Sequence, residues 1–264
     1  MNELKDSVIK YFERIDETVF PRRFKEKATV ILSGSTGWGI KEGFDEKADW
    51  DLHILLSDEA YIEFKKEYGE NYVIDDHENN PIVFAQIHNK DWLITRLKNE
   101  ETKILYLWIY TNCIYLKDEL KIYKNEIKNE KEKFVKEITK NIKKHYIKFA
   151  VRRLDSSSCA KRNLEVSTSI NKAEMVKWAL ELLSLLKNEP YPYTKWLFKH
   201  VSILYLEDID INKILELIEK ILKENKLIKL IPLIKELKIN IETILERIYG
   251  EERWIKYWWE FNKN

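Results

Sequence analysis

The chain has 264 residues, with 46 Lys plus Arg set against 45 Asp plus Glu. That length can bury a sizeable core in one large or two modest domains, and a net charge of +1 gives no global field to steer it toward nucleic acid or an anionic membrane. Cys113 and Cys159 are the sole cysteines, with no Cys-x-x-Cys pair and no leader-like start, which points to a reducing cytoplasm, and no run approaches the roughly 20 apolar residues that a bilayer demands.

Taken in order, Leu4, Val8, Ile9, Phe12, Ile15 and Val19 recur at helical spacing and predict a packing helix ending before Pro21. Ala28 to Leu32 reads as a buried strand that runs into the glycine-rich turn Gly34-Ser35-Thr36-Gly37-Trp38-Gly39. Leu52 to Leu56 is the next strand, led by Asp49-Trp50-Asp51. Side chains two apart on a strand point the same way, with Cα atoms roughly 6.5–7 Å apart, so Asp49 and Asp51 can converge on one divalent cation. Trp38 and Trp50 flank this place, as core residues or as platforms for a base.

Ser57 is a plausible cap for a helix from Asp58 to Tyr68. Two strands, 71–75 and 81–88, follow, joined by the polar loop Asp76 to Asn80. One helix over about 91–110 and a last strand, 113–116, complete a small mixed α/β domain. From Lys117 the pattern is helical throughout. Met175, Trp178, Ala179, Leu182, Leu183 and Leu186 form one apolar stripe, and Ile214, Leu217, Ile218, Ile221 and Leu222 form another. The bundle is broken at Pro190 and Pro192 and broken or kinked at Pro232. The expected fold is therefore α+β, with residues 1–118 as the sheet domain and 119–264 as an all-α helical bundle.

An apolar strand, Gly34-Ser35, a spacer, and Asp49-x-Asp51 on the next strand together resemble the nucleotidyltransferase superfamily that includes DNA polymerase beta and the antibiotic and minimal nucleotidyltransferases. Leu186 to Leu197, containing Pro190-Tyr191-Pro192-Tyr193, looks like a stretch in the helical domain of the antibiotic type. The resemblance implies a small mixed-sheet nucleotidyltransferase domain in which Asp49 and Asp51 bind the Mg²⁺ of an NTP, ATP or GTP. It further implies that Gly34, Ser35 and Thr36, with backbone N–H groups, hold the outgoing phosphates, helped by lysines such as Lys161 and Lys195, and that Glu174 lies near the acceptor. Asn171 to Glu174 also reads as a capping box.

Resembling enzymes carry a third carboxylate on a strand after the hairpin, as second-metal ligand and base. The strand here, Pro81 to His88, contains no acid. By alternation Ile82, Phe84, Gln86 and His88 share a face, which makes Gln86 the expected occupant and His88 the next. Glutamine takes no proton at neutral pH and is a weak magnesium ligand. Asp75, Asp76 and Glu78 are further candidates from the preceding loop. Three functions stay open: NMP transfer from Mg-NTP to a hydroxyl of a small-molecule acceptor with release of pyrophosphate; the same transfer to RNA or protein, for which residues 117–148 offer eleven lysines against six acids; and a catalytically weak nucleotide-binding module. P-loop chemistry is disfavoured, because no Gly-Lys-Ser/Thr follows the glycine turn.

Overall fold

A computed structural model describes residues 2–39, 48–70, 72–207 and 209–262. The chain divides into two compact units, Met1–Lys133 and Phe134–Asn264.

In the first unit, α1 (Asn2–Arg14) and the short α2 (Arg22–Lys25) precede β1 (Thr29–Ser33), and a six-residue helix, α3 (Gly34–Gly39), stands where a turn is expected. Then come β2 (Trp50–Leu56), α4 (Asp58–Tyr68), β3 (Val73–Asp76) and β4 (Val83–Asn89). Ser57 caps α4 as expected, accepting the Ala60 N–H. Asn71, where the first of the paired strands was expected to start, lies outside the described residues. The single helix expected over 91–110 is two, α5 (Lys90–Lys98) and α6 (Lys103–Thr111). Asn99 turns its side chain to the Glu101 N–H and Thr102 donates to the Arg96 carbonyl, so local polar side chains take over the backbone groups that would continue the helix. β5 (Ile114–Asp118) closes the sheet.

The five strands run in the order β3-β4-β2-β1-β5, with β2 and β4 parallel and the other pairs antiparallel. Alternation sorts the side chains to two faces. Val30, Leu32, Trp50, Leu52, Ile54, Leu56, Val83, Ala85 and Ile87 form the apolar face, and they share a buried cluster with Val8 and Phe12 of α1 and Ala60 and Phe64 of α4. Trp50 is thus a core residue, edge-on to Tyr11. The opposite face carries Asp51, His53, Phe84, Gln86 and His88.

A turn of π-helix (Tyr123–Ile127) and α7 (Lys128–Lys136) follow β5. The first unit runs past residue 118, the boundary expected from the sequence, to Lys133 within α7; Ile122 and Ile127 are fully buried and Lys90 pairs with Glu126 at 2.7 Å. The second unit is all helical: α8 (Ile138–Lys161), α9 (Glu165–Leu186), α10 (Thr194–Ser202), α11 (Ile211–Lys223), α12 (Leu227–Tyr249) and the short α13 (Arg253–Lys256). Met175, Ala179, Leu182 and Leu183 of the first stripe, and Ile218 and Ile221 of the second, are completely buried. Leu222 is left 43 % exposed. α12 continues through Pro232, which sits near the helix start and forfeits one backbone donor. The fold is α+β, a mixed sheet with helices followed by a helical unit. Among the described residues no helix is long and apolar enough to cross a membrane.

Candidate functional site

β1 ends in Ser33, which is paired in register with Asp51 of β2 and donates its hydroxyl to the Asp51 carbonyl at 3.1 Å. The chain then turns at Gly34 with φ +66°, a left-handed conformation that costs an L side chain roughly 1–2 kcal/mol. Space adds a second requirement. A Cβ at Gly34 would overlap Oδ2 of Asp51 and stand 3.0 Å from its Cγ. Glycine is what lets the Asp51 carboxylate lie against the backbone of the turn. Gly37 is needed for a similar reason, since a Cβ there would overlap the Leu32 carbonyl oxygen and push α3 off the end of β1.

The same turn fixes the other carboxylate-bearing residue. Thr36 is buried and donates its hydroxyl to the Asp49 carbonyl at 2.9 Å, so its side chain positions Asp49. Asp49 is exposed and lies just before β2, while Asp51 is inside the strand and half-buried. The Trp50 N–H donates to the Ile82 carbonyl at 2.8 Å, which holds the stretch between the two acids to the residue leading into β4. Ser35 is half-buried on α3, and Trp38 packs against Trp108 with ring centroids 5.5 Å apart.

Two aspartates next to a turn with no side chain at its tightest point form a hard oxygen donor set of the kind magnesium takes, usually as one or two carboxylates plus substrate phosphates and water. At Gly34 the space a Cβ would take is held by the Asp51 carboxylate itself, which sets that acid against the backbone of the turn. Among the described residues no group of three or more His, Cys, Asp or Glu is arranged to hold a metal.

On β4 the residue beside Asp51 is Phe84, while Gln86 is one pair further along, beside His53. The alternation that places Gln86 on the site face is correct, yet alternation alone says nothing of register between strands. One row across the sheet reads Asp75, Phe84, Asp51, Ser33. Asp75 is therefore two strand spacings, roughly 9.5 Å, from Asp51, with the Phe84 ring between them, and its Oδ1 lies 2.9 Å from His77 Nε2. Asp76 accepts the Tyr11 hydroxyl at 2.9 Å and the Glu78 and Asn79 N–H groups. These acids serve the hairpin.

Behind the aspartates the face is polar and aromatic. His53 Nδ1 and the Tyr110 hydroxyl share a hydrogen bond of 2.7 Å, and His88 stacks on Trp92 at 3.7 Å with Arg96 on the same ring at 4.0 Å. His88 Nε2 is 3.4 Å from Gln86 Oε1. Burial, followed by the nearby charge of His88, pulls His53 down to about 4, and burial with Arg96 does the same to His88. Both rings are neutral at pH 7. Sequence reasoning missed His53, although its place two residues beyond Asp51 on the same strand assigns it to this face.

The remaining predicted residues belong to the helical unit. Glu174 is interior to α9 and pairs with Arg152 at 2.5 Å. The capping-box reading of Asn171 to Glu174 fails, because α9 begins at Glu165, two turns earlier. Lys161 is the last, exposed residue of α8. Lys195, in the first turn of α10, holds its ammonium 5.4 Å from the Tyr193 ring and 5.5 Å from that of Trp196.

No protein-family model and no curated protein matches this chain. Among solved structures it is similar to the crystal structure of a nucleotidyltransferase-like protein from Exiguobacterium sibiricum 255-15, with 14 % identity, a TM-score of 0.40, and 89 % of this chain and 79 % of that chain covered.

Proposed function

We propose that this protein is a nucleotidyltransferase that binds an NTP, ATP or GTP, with Mg²⁺ at Asp49 and Asp51 and transfers its NMP to a hydroxyl of a small-molecule acceptor, releasing pyrophosphate. The geometry at Gly34 carries the reading: a left-handed glycine whose missing Cβ makes room for the Asp51 carboxylate. The turn and the acidic pair are built as one object, which a chance Gly-Ser and a chance Asp-x-Asp would not be. When bound, the cation neutralises charge on the transferring phosphoryl group. Of the chain's own groups, Asp49 and Asp51 hold that cation, Thr36 keeps Asp49 in place, Gly34 lets the Asp51 carboxylate lie against the turn without meeting a Cβ, and the Ser35 hydroxyl with backbone N–H groups of the turn holds phosphate oxygens.

Phe84 supports a second reading. With an aromatic ring where a third carboxylate would stand beside Asp51, β4 offers no second-metal ligand or base at that position, and on this reading the unit binds Mg-NTP without fast turnover. Pyrophosphate release measured with ATP and GTP over a panel of hydroxyl-bearing small molecules separates the two. Transfer predicts acceptor-dependent release that Asp49→Asn and Asp51→Asn each reduce at least 100-fold, a size typical of losing one preorganised charge contact. Mg-dependent NTP binding with no release under any acceptor establishes the binding module instead.

A further inference from the structure

The first unit has a cleft of about 590 Å³ between α1, α2 and the edge strand β5. Its floor is apolar, made by Ile9 and Phe12 of α1, Val30 of β1 and Leu116 of β5. Val30 belongs to the apolar face of the sheet, so the cleft and the Asp51 side chain lie on opposite faces. The two sites share no residue.

Two lysines line this cleft, and main-chain carbonyls fix the ammonium of each. Lys25 Nζ donates to the Glu13 carbonyl at 3.3 Å and to that of Ile15, at the end of α1. Lys117 Nζ donates to the Lys25 and Glu26 carbonyls at 3.0 and 2.8 Å, at the end of α2. An ammonium has three N–H donors, so each lysine keeps one that these carbonyls do not take. The carboxylates that face them stand beyond hydrogen-bond reach, Glu17 at 3.8 Å from Lys25 and Glu119 at 3.7 Å from Lys117. Arg22, the third cation of the cleft, is paired directly with Glu26 at 2.9 Å.

Burial decides which sign of charge is short of a partner. The Lys25 side chain is 9 % exposed and that of Glu17 is 61 % exposed. Water satisfies an exposed carboxylate, whereas an ammonium withdrawn from water carries a desolvation cost that neutral carbonyls offset only in part. We propose that this cleft binds a small amphipathic carboxylate, its apolar body on Ile9, Phe12, Val30 and Leu116 and its oxygens on the remaining N–H donors of Lys25 and Lys117. The volume falls within the range of small-molecule pockets, and the head group gains charge-assisted hydrogen bonds that an alcohol or an amine on the same body does not.

Isothermal calorimetry of the full chain with octanoate, octan-1-ol and octylammonium tests this by holding the apolar body constant while the head group changes. Octanoate is expected to bind saturably, and the alcohol and the ammonium about tenfold more weakly or not at all. Binding persists in EDTA, which separates this cleft from a Mg-nucleotide site. Lys117→Gln keeps a donor for the two carbonyls but removes the charge, and it weakens octanoate about tenfold; Lys117→Arg restores most of the affinity. Ile9→Asp, at a half-buried position of the floor, weakens octanoate by a similar factor. Lys25 stays in place throughout because its burial makes it a folding residue as well. The absence of a saturable octanoate signal, an alcohol or ammonium that binds as tightly as octanoate, equal affinity in the two Lys117 variants, or wild-type affinity in Ile9→Asp overturns the proposal.

Discussion

Gly34 is the residue on which the site depends most. Replacing it with Ala introduces a strained left-handed residue, at roughly 1–2 kcal/mol, and sets a methyl group into Asp51. The melting temperature of Gly34→Ala should fall by about 5 °C, since roughly 2–4 °C corresponds to 1 kcal/mol at this size, and Mg-NTP affinity should fall at least tenfold because Asp51 must move. Differential scanning calorimetry and nucleotide titration of the one variant check both. Phe84 offers the complementary experiment. A carboxylate installed by Phe84→Asp lies one strand spacing from Asp51 and should add a second Mn²⁺ to the nucleotide complex, whereas Gln86→Glu places its charge beside His53 and should not. Equilibrium dialysis with Mn²⁺ and ATP gives the stoichiometry of each. If Phe84→Asp also supplies general-base assistance, pyrophosphate release rises by up to about 10²–10⁴-fold.

The sheet, as an element, sets which residues meet, and pairing is what a single strand cannot announce. The apolar runs at 28–32 and 52–56 were legible because strands in the middle of a sheet read as near-continuous hydrophobic stretches. The register of β2 against β4 was not, so Gln86 took the place that Phe84 occupies. The α5 and α6 break was missed for a related reason: Asn99 and Thr102 act through side-chain hydrogen bonds that helical periodicity does not record. Burial of His53 and His88 on this sheet gives a pH dependence with a definite sign. Both rings are pulled to about 4 in the folded chain, against about 6.5 unfolded. Below pH 6.5 the unfolded state takes up protons that the folded state refuses, so stability present above pH 6.5 is lost as pH falls toward 4. Urea unfolding at pH 7 and pH 5 should show the wild type losing about 1 kcal/mol per ring after allowance for partial exposure. His53→Gln with His88→Gln should reduce that loss; an unchanged difference would mean the rings titrate normally.

For the molecule as a whole, the order of a mixed sheet followed by helices was readable from the change in periodicity after Lys117, because periods of 2 and 3.6 are imposed by backbone geometry before any tertiary contact forms. The division at Lys133 and Phe134 was not readable there. Helical segments look alike in sequence whichever core they join, and it is the burial of Ile122 and Ile127 and the Lys90–Glu126 pair that tie the first of them to the sheet unit. The candidate site was legible as far as its residues are local, Gly34 with its turn and Asp49 with Asp51, and illegible where it depends on contact between distant segments. If this turn and this acidic pair form one Mg-nucleotide site, isothermal calorimetry of Mg-ATP and Mg-GTP on the wild type and Asp51→Asn will show it. Saturable, Mg²⁺-dependent binding of at least one nucleotide is expected, weakened tenfold or more in Asp51→Asn while the melting temperature stays within a few degrees. Equal affinity in the two proteins, or wild-type binding that does not depend on Mg²⁺, would contradict it.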